Sequence, residues 1–359
     1  MLPVASCLLP IAYLHESSVK HYACIFAPVK RFLIIQTAFI GDVVLATGLL
    51  EKLHAHFPDA SIDFLVRKGN ESLLANHPFL NEVLVWNKKE KKLANLWRTL
   101  RKIRGKRYDK VINVQRFAAT GILTAFSGAK ETIGFDKNPF SFLFSKKIKH
   151  IIAKGQHEID RNHELIKSFT DSIPAKPRLH PTENDFTFTK EFKKKKFICV
   201  APASVWFTKQ YPKEKWLSFI EKLPADLQVY LIGAPDDQEL CTQIISSTTH
   251  KNITSLAGKL SFLQSAALMK DALMNYVNDS APLHFASSVN APTTAVYCST
   301  IPAFGFGPLA DKSFIVQKLE PLYCRPCGLH GYKACPEGHF RCAFEIKDQQ
   351  LIDCLKFEF

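Results

Sequence analysis

Four short stretches of this chain put side chains capable of chemistry where an apolar run ends. The first is "QTAFIGDVVLATGLL", in which Gly41 and Asp42 follow a run of strand character and precede a helical pattern. Glycine there permits a tight turn or a close approach of backbone, and an aspartate at a helix N-terminus is either a cap or a base facing a cleft. The second, "VAPASVWFTKQYPKEKW", offers Ser204, Thr208 and Lys209 before a helix opened by Pro212. Hydroxyls and a lysine beside free helix N–H groups suit a diphosphate, although a lysine in a loop is also an ordinary surface feature. The third, "YLIGAPDDQEL", has Gly233 followed by Asp236, Asp237 and Glu239. Acidic residues at a helix start complement its dipole, and one of them could accept a hydrogen bond from a ribose hydroxyl. The fourth, "MNYVNDSAPLHFASSVNAPTTAVY", runs from an apolar strand into Asn278, Asp279 and Ser280, with His284 one turn into the helix that follows. Such a loop is a helix cap or the floor of a phosphate site.

A fifth cluster is of another kind. "YCRPCGLHGYKACPEGHFRC" holds Cys324, Cys327, Cys335 and Cys342, with His330 and His339 among them. These are enough soft ligands for a structural tetrahedral zinc that would staple a loop too short for its own core. Reduced thiols or a disulfide are the alternatives.

The elements that must position these groups alternate. "RFLIIQT", "SIDFLV", "NEVLVW" and "YDKVINV" read as buried strands, with "DVVLATGLLEKLHAHF" and "LANLWRTLRKIR" as helices between them. Such βα repetition predicts parallel sheets covered on both faces, an α/β chain. The pattern falters between residues 135 and 196, where "HEIDRNHELIKSFTDSI" reads as a helix and "PAKPRLHPTEND" as a proline-rich link. It resumes with "KKFICVAPAS", "LQVYLIGAP", "NITSLAG", "ALMNYVNDS" and "APTTAVYCS". Two doubly wound, Rossmann-like domains result, residues 31–180 and 181–345, with an extension at 1–30 and a terminal helix at 346–359. Ligands of such sheets bind at the carboxyl ends of the strands, which is where the four loops fall.

Composition sets limits. A chain of 359 residues suits two domains. No run reaches the roughly 18 apolar residues of a spanning helix. The first 30 residues lack basic residues ahead of their apolar part, which argues against a signal peptide, and Pro3 and Pro10 argue against a helix; a disordered or misassigned start is expected, with a weak surface anchor as the alternative. Ten cysteines are sparse at this length and fit a reducing cytoplasm. The net charge of +14 raises nucleic acid as a partner, but the basic residues are not interleaved with exposed aromatics, so none is expected. Much of the charge lies in residues 88–107, ten Lys or Arg against one Glu around Leu93, Leu96, Trp97, Leu100 and Ile103. A helix of this kind packs on a core, lies against anionic lipid, or does both.

Taken in order, "IGDVVLATGLL", "FTKQYPKEKW", "LIGAPDDQEL", "NDSAPLHFASSVNAPTTAVY" and "CRPC…CPEGHFRC" resemble the bacterial lipopolysaccharide heptosyltransferases of glycosyltransferase family nine, from about Arg31 to Cys342. The resemblance implies a GT-B fold, with two Rossmann-like domains facing across a cleft, and ADP-heptose as donor. It implies metal-independent, inverting transfer without a cofactor, to Kdo-lipid A or heptosyl-Kdo-lipid A. By the same resemblance the enzyme would sit peripherally at the inner face of the cytoplasmic membrane. Asp42 looks like the family's general base and Lys209, beside Thr208 and Ser204, like its phosphate-binding lysine. Asp279 and Ser280 match the donor loop, His284 stands where the family has a histidine, and Asp236 and Asp237 would meet the ribose. Ala281 replaces a usual glycine and Gln36 a common basic residue, which leaves open another nucleotide sugar or a non-catalytic relative. The absence of any Asp-x-Asp triplet agrees with metal-free transfer.

Overall fold

The computed structural model describes residues 29–152 and 155–355. Most of the 1–30 extension and the last four residues of the expected terminal helix lie outside the described residues.

The strands of the first half are β1 (Arg31–Ile35), β2 (Ser61–Arg67), β3 (Glu82–Trp86), β4 (Lys110–Asn113), β5 (Glu131–Phe135) and β6 (Lys146–Ile148). Those of the second are β7 (Phe197–Ala201), β8 (Gln228–Leu231), β9 (Ile253–Ser255), β10 (Asn275–Asn278), β11 (Thr293–Tyr297) and β12 (Ser313–Gln317). Helices α1 (Ile40–His56), α2 (Lys92–Lys106), α3 (Ala118–Ala125), α4 (Glu158–His163), α5 (Glu183–Thr189) and α6 (Lys213–Ile220) are followed by α7 (Gln238–Ser247), α8 (Phe262–Lys270), α9 (Ala281–Ser288), α10 (Arg341–Phe344) and α11 (Asp348–Leu355). Central strands such as β1 and β7 are apolar and buried on both faces, as a sheet covered by helices on two sides requires.

The two sheets repeat one plan. Their orders are β3-β2-β1-β4-β5-β6 and β12-β11-β10-β7-β8-β9, every pair parallel. Strand order reverses between β1 and β4 in one sheet and between β7 and β10 in the other, and these switch points open a crevice at the strands' carboxyl ends.

Among the strands, the periodicity misses the interior β5 and the edge strands β6 and β12. β6 and β12 have few fully buried residues, so neither shows the unbroken apolar run of an interior strand. The helix expected over 157–173 is shorter: α4 stops at His163, because Leu165 and Ile166 turn into the core and Lys52 holds Asp171 at 2.9 Å. Along α2, Leu96, Leu100 and Ile103 pack on the sheet, whereas Leu93 and Trp97 are 74% and 58% exposed among the basic residues.

The halves share a core that runs from Phe32 and Val44 through Leu283 and Ala286 to Phe197. Helix α1 packs on both α4 and α9, so it is the element that joins them. The link between halves lies along α1: a Cβ at Gly48 would fall 2.6 Å from Ala175 O, and Arg178 N–H donates to Thr47 Oγ1 at 2.9 Å. His180 Nε2 meets Glu51 Oε1 at 3.0 Å, with His77 Nε2 3.5 Å from the same oxygen. Burial pushes the Glu51 carboxyl up, but the hydrogen bonds from the two imidazoles overcome it and hold it at about 2.

Candidate active site between the two halves

Asp42 is the third residue of α1, reached directly from the end of β1, and the N-cap position belongs to Phe39. Its carboxyl is half-buried and reaches back to the backbone of Phe39. Burial pushes it above the ordinary carboxylate value, against the pull of those backbone hydrogen bonds and of the Lys209 and Arg116 charges. Burial also raises Glu158, opposed by Arg161 and reinforced by Asp42. Two carboxyls and two cations therefore feel one another across the crevice.

Lys209 enters from the other half, in the loop after β7. Its Nζ lies 2.8 Å from Asp279 Oδ2, and the two side chains are 15% and 8% exposed. Thr300 Oγ1 donates to the same oxygen at 2.7 Å. Asp279 thus holds the lysine in place rather than standing free in the donor loop. Thr208 is turned inward: its Oγ1 accepts from Tyr332 N–H at 2.7 Å and from Ser299 Oγ–H at 3.0 Å, so the hydroxyl is committed to the protein. Ser204 is half-buried and its N–H donates to Gln210 Oε1 at 3.3 Å.

Ser280 does not serve as a side-chain cap. Ser280 is the N-cap of α9, yet no side chain among the described residues caps that helix, and its Oγ–H turns back to Asn278 O at 3.4 Å. Pro282 has no N–H, and Leu283 N–H bonds Ser280 O at 3.1 Å. The amide of Ala281 is left at the positive end of the helix dipole, a position suited to an anion.

His284 sits beneath this turn, with burial driving its ring down to about 3 and its Nδ1 buried without a partner among the described residues. Its ring lies against Gly41, where a Cβ would be 2.7 Å from Cδ2. Gly41 is thus required by a contact between the halves. Gly41→Ala should lower stability by about 1–3 kcal/mol through overpacking, even though alanine is the better helix former. Thermal melting checks this, and an unchanged melt would mean that α1 and α9 do not close as described.

Asp236 is exposed, and Asp237 Oδ2 accepts from Ala234 N–H at 2.7 Å, a helix-start role. Two residues of the crevice escape a reading by motif. Asn278 ties the second switch point together: it accepts from Tyr211 N–H at 2.9 Å and donates to Pro202 O at 2.9 Å. Arg116, exposed just beyond β4, is the cation that the first switch point supplies. A basic residue directly after "VINVQ" was the available signal, but it acquires meaning only once β4 is known to lie beside β1.

The profile of glycosyltransferase family 9 (heptosyltransferase) matches residues 96–332, more than half of the chain. The chain belongs to glycosyltransferase family 9. Among curated relatives, lipopolysaccharide heptosyltransferase 3 of Escherichia coli is 27% identical over 281 residues, 73% of this chain and 82% of the relative. In fold, this family 9 chain is similar to the crystal structure of a glycosyl transferase family 9 protein from Veillonella parvula DSM 2008. The TM-score is 0.81 and the identity 21%, covering 92% of this chain and 97% of that one. It is also similar to E. coli ADP-heptose LPS heptosyltransferase II, with a TM-score of 0.76 and 20% identity over 91% of this chain and 98% of that one. The family 9 chain accordingly has the GT-B architecture, two doubly wound units facing across a cleft.

Proposed function

We propose that this family 9 enzyme transfers heptose from ADP-heptose to the inner core of lipopolysaccharide, with inversion at the anomeric carbon. The observation that carries the reading is that Asp42 from the first switch point and the Lys209–Asp279 pair from the second lie on the two sides of one cleft, closed where Gly41 packs on His284. The names of the E. coli heptosyltransferases of similar sequence and fold support the donor and the acceptor class.

The chemistry follows from these groups. Asp42 takes the proton from the acceptor hydroxyl as its oxygen attacks the anomeric carbon from the face opposite ADP. The bond to the diphosphate oxygen breaks, and the charge that develops there is met by Lys209 and the N-terminus of α9 rather than by a metal ion. Asp279 and Thr300 position the lysine, and the neutral His284 underlies the turn. We assign the donor to the second half, about residues 181–345, and the acceptor to the first, about 31–180. There Arg116 is exposed to meet phosphate or carboxylate on Kdo-lipid A or heptosyl-Kdo-lipid A. No helix among the described residues is long and apolar enough to cross a membrane. The exposed Leu93 and Trp97 amid lysines and arginines of α2 instead suit peripheral contact with the inner face of the cytoplasmic membrane.

Calorimetric titration of ADP-heptose against UDP-, GDP- and CMP-sugars tests the donor without a lipid acceptor. Selective binding of the ADP compound is expected. Preference for another nucleotide would overturn the donor, an outcome to which Ala281 in place of a usual glycine draws attention, and a folded sample that binds none would overturn the enzymatic reading.

A further inference from the structure

Residues 318–340 run from the end of β12 to α10 without a helix or strand. A long irregular segment in a compact protein needs something to hold it. This one buries little of its own, since Leu319, Tyr323, Leu329 and Tyr332 are all exposed. It nevertheless backs the candidate active site. Tyr332 N–H donates to Thr208 Oγ1, Cys327 N–H donates to Ser299 O at 2.9 Å, and a Cβ at Gly331 would lie 3.0 Å from Lys209 Cγ.

Cys324, Cys327, Cys335, Cys342 and His339 all line one cavity of about 210 Å³ within this segment. The four cysteines are free thiols.

Two neighbours are arranged for sulfur that carries charge. Arg325, between the first two cysteines, is anchored through Nη2 to Thr300 O and to Gln317 Oε1, both at 2.7 Å, while its Nε is buried without a partner among the described residues. His339 accepts from Arg341 N–H at Nδ1 (3.1 Å), which puts the proton of the neutral ring on Nε2, 4.0 Å from Cys324 Sγ. The histidine is thereby a donor to sulfur, not a ligand, which leaves the four cysteines as the donor set.

We propose that Cys324, Cys327, Cys335 and Cys342 form a structural tetrathiolate site for zinc or a similarly soft divalent cation, with Arg325 and His339 donating to its sulfurs. Cys-x-x-Cys supplies one chelating pair and Cys335 with Cys342 the other, and metal binding displaces the thiol protons. Two negative charges in excess on such a centre give the Arg325 guanidinium its counter-charge. The sulfurs are more widely spread than in a closed site, because the one trio of donor groups drawn within 4.8 Å among the described residues is Glu51, His77 and His180. In that trio His180 Nε2 meets Glu51 Oε1 at 3.0 Å and Phe79 N–H donates to His77 Nδ1 at 3.3 Å. Closing the site instead moves Cys324, Cys327 and Cys335, in a segment without helix or strand, toward Cys342 at the start of α10.

The test uses the full chain purified under a thiol reductant, with zinc and cobalt as probes. Elemental analysis should find about one zinc per chain, and cobalt loading should give the charge-transfer and visible bands of a tetrahedral thiolate centre. Both should be lost in Cys324→Ser/Cys327→Ser and kept in Cys354→Ser. Thiol titration of the wild type, which needs no variant, should show four fewer reactive thiols with zinc bound than after chelation. Failure of the wild type to bind either metal stoichiometrically overturns the proposal, as does a cobalt spectrum that survives in the double variant, or a reductant-free protein whose mass shows these cysteines joined as disulfides.

Discussion

Asp42→Asn lowers turnover by about 10²–10⁴-fold, the range a general base contributes, while the folded protein keeps its affinity for ADP-heptose. The amide retains the shape of the carboxyl but cannot take a proton from the acceptor hydroxyl. Direction also follows for pH. Burial raises the Asp42 carboxyl, so the base form is gained, and the rate rises, over a pH range above that of an ordinary carboxylate. Arg116 and Lys209 pull the value down and Glu158 is coupled to it in the opposite sense, so Arg116→Gln should move the acidic limb of kcat/KM to higher pH and Glu158→Gln to lower pH. Steady-state rates across pH for the three variants check this. Turnover by Asp42→Asn within tenfold of wild type would remove the residue from the chemistry.

Lys209→Ala has a double cost. It withdraws the charge that meets the departing diphosphate, for which a loss of roughly 10²–10³ in kcat is the scale of a single electrostatic stabiliser. It also strands the Asp279 carboxylate, which is 8% exposed and keeps only Thr300, and breaking a buried pair from one side costs about 3–5 kcal/mol. These effects separate in Lys209→Met/Asp279→Asn, which removes both charges. Thermal melting of that double variant should return most of the way to wild type, while turnover stays at the level of Lys209→Ala. Recovery of turnover along with stability would make the pair structural and reassign the diphosphate to the end of α9 alone.

Both predictions concern residues that could be named before any coordinates, and the reason is local. Asp42, Lys209 and Asp279 each follow an apolar run long enough to be an interior strand, and in a parallel sheet the residues after such strands lie at the ligand-binding end. Most interior strands and the amphipathic face of α2 were legible for the same cause, since they are buried on faces that neighbouring residues along the chain share, although the interior strand β5 was not read. The edge strands β6 and β12 lack that continuous burial, and the expected helix over 157–173 gave way to long-range packing of Leu165 and Ile166.

What tertiary structure alone decided is which of the named side chains are free to act. Thr208 carries a hydroxyl suited to phosphate, but Tyr332, far along the chain, and Ser299 claim it. Asp279, expected in the donor loop, is paired with Lys209 and Thr300. Gly41 was read as room for a close approach, and only the packing of α1 on α9 shows that what approaches is His284. Arg116 and Glu158 had no motif to announce them, since their meaning comes from β4 pairing with β1 and from α4 lying against α1. Sequence periodicity reports the burial of each residue relative to its neighbours in the chain. Strand order and the meeting of the two halves depend on contacts between residues tens to hundreds apart, and those contacts determined the charge, exposure and partners of every group in the cleft.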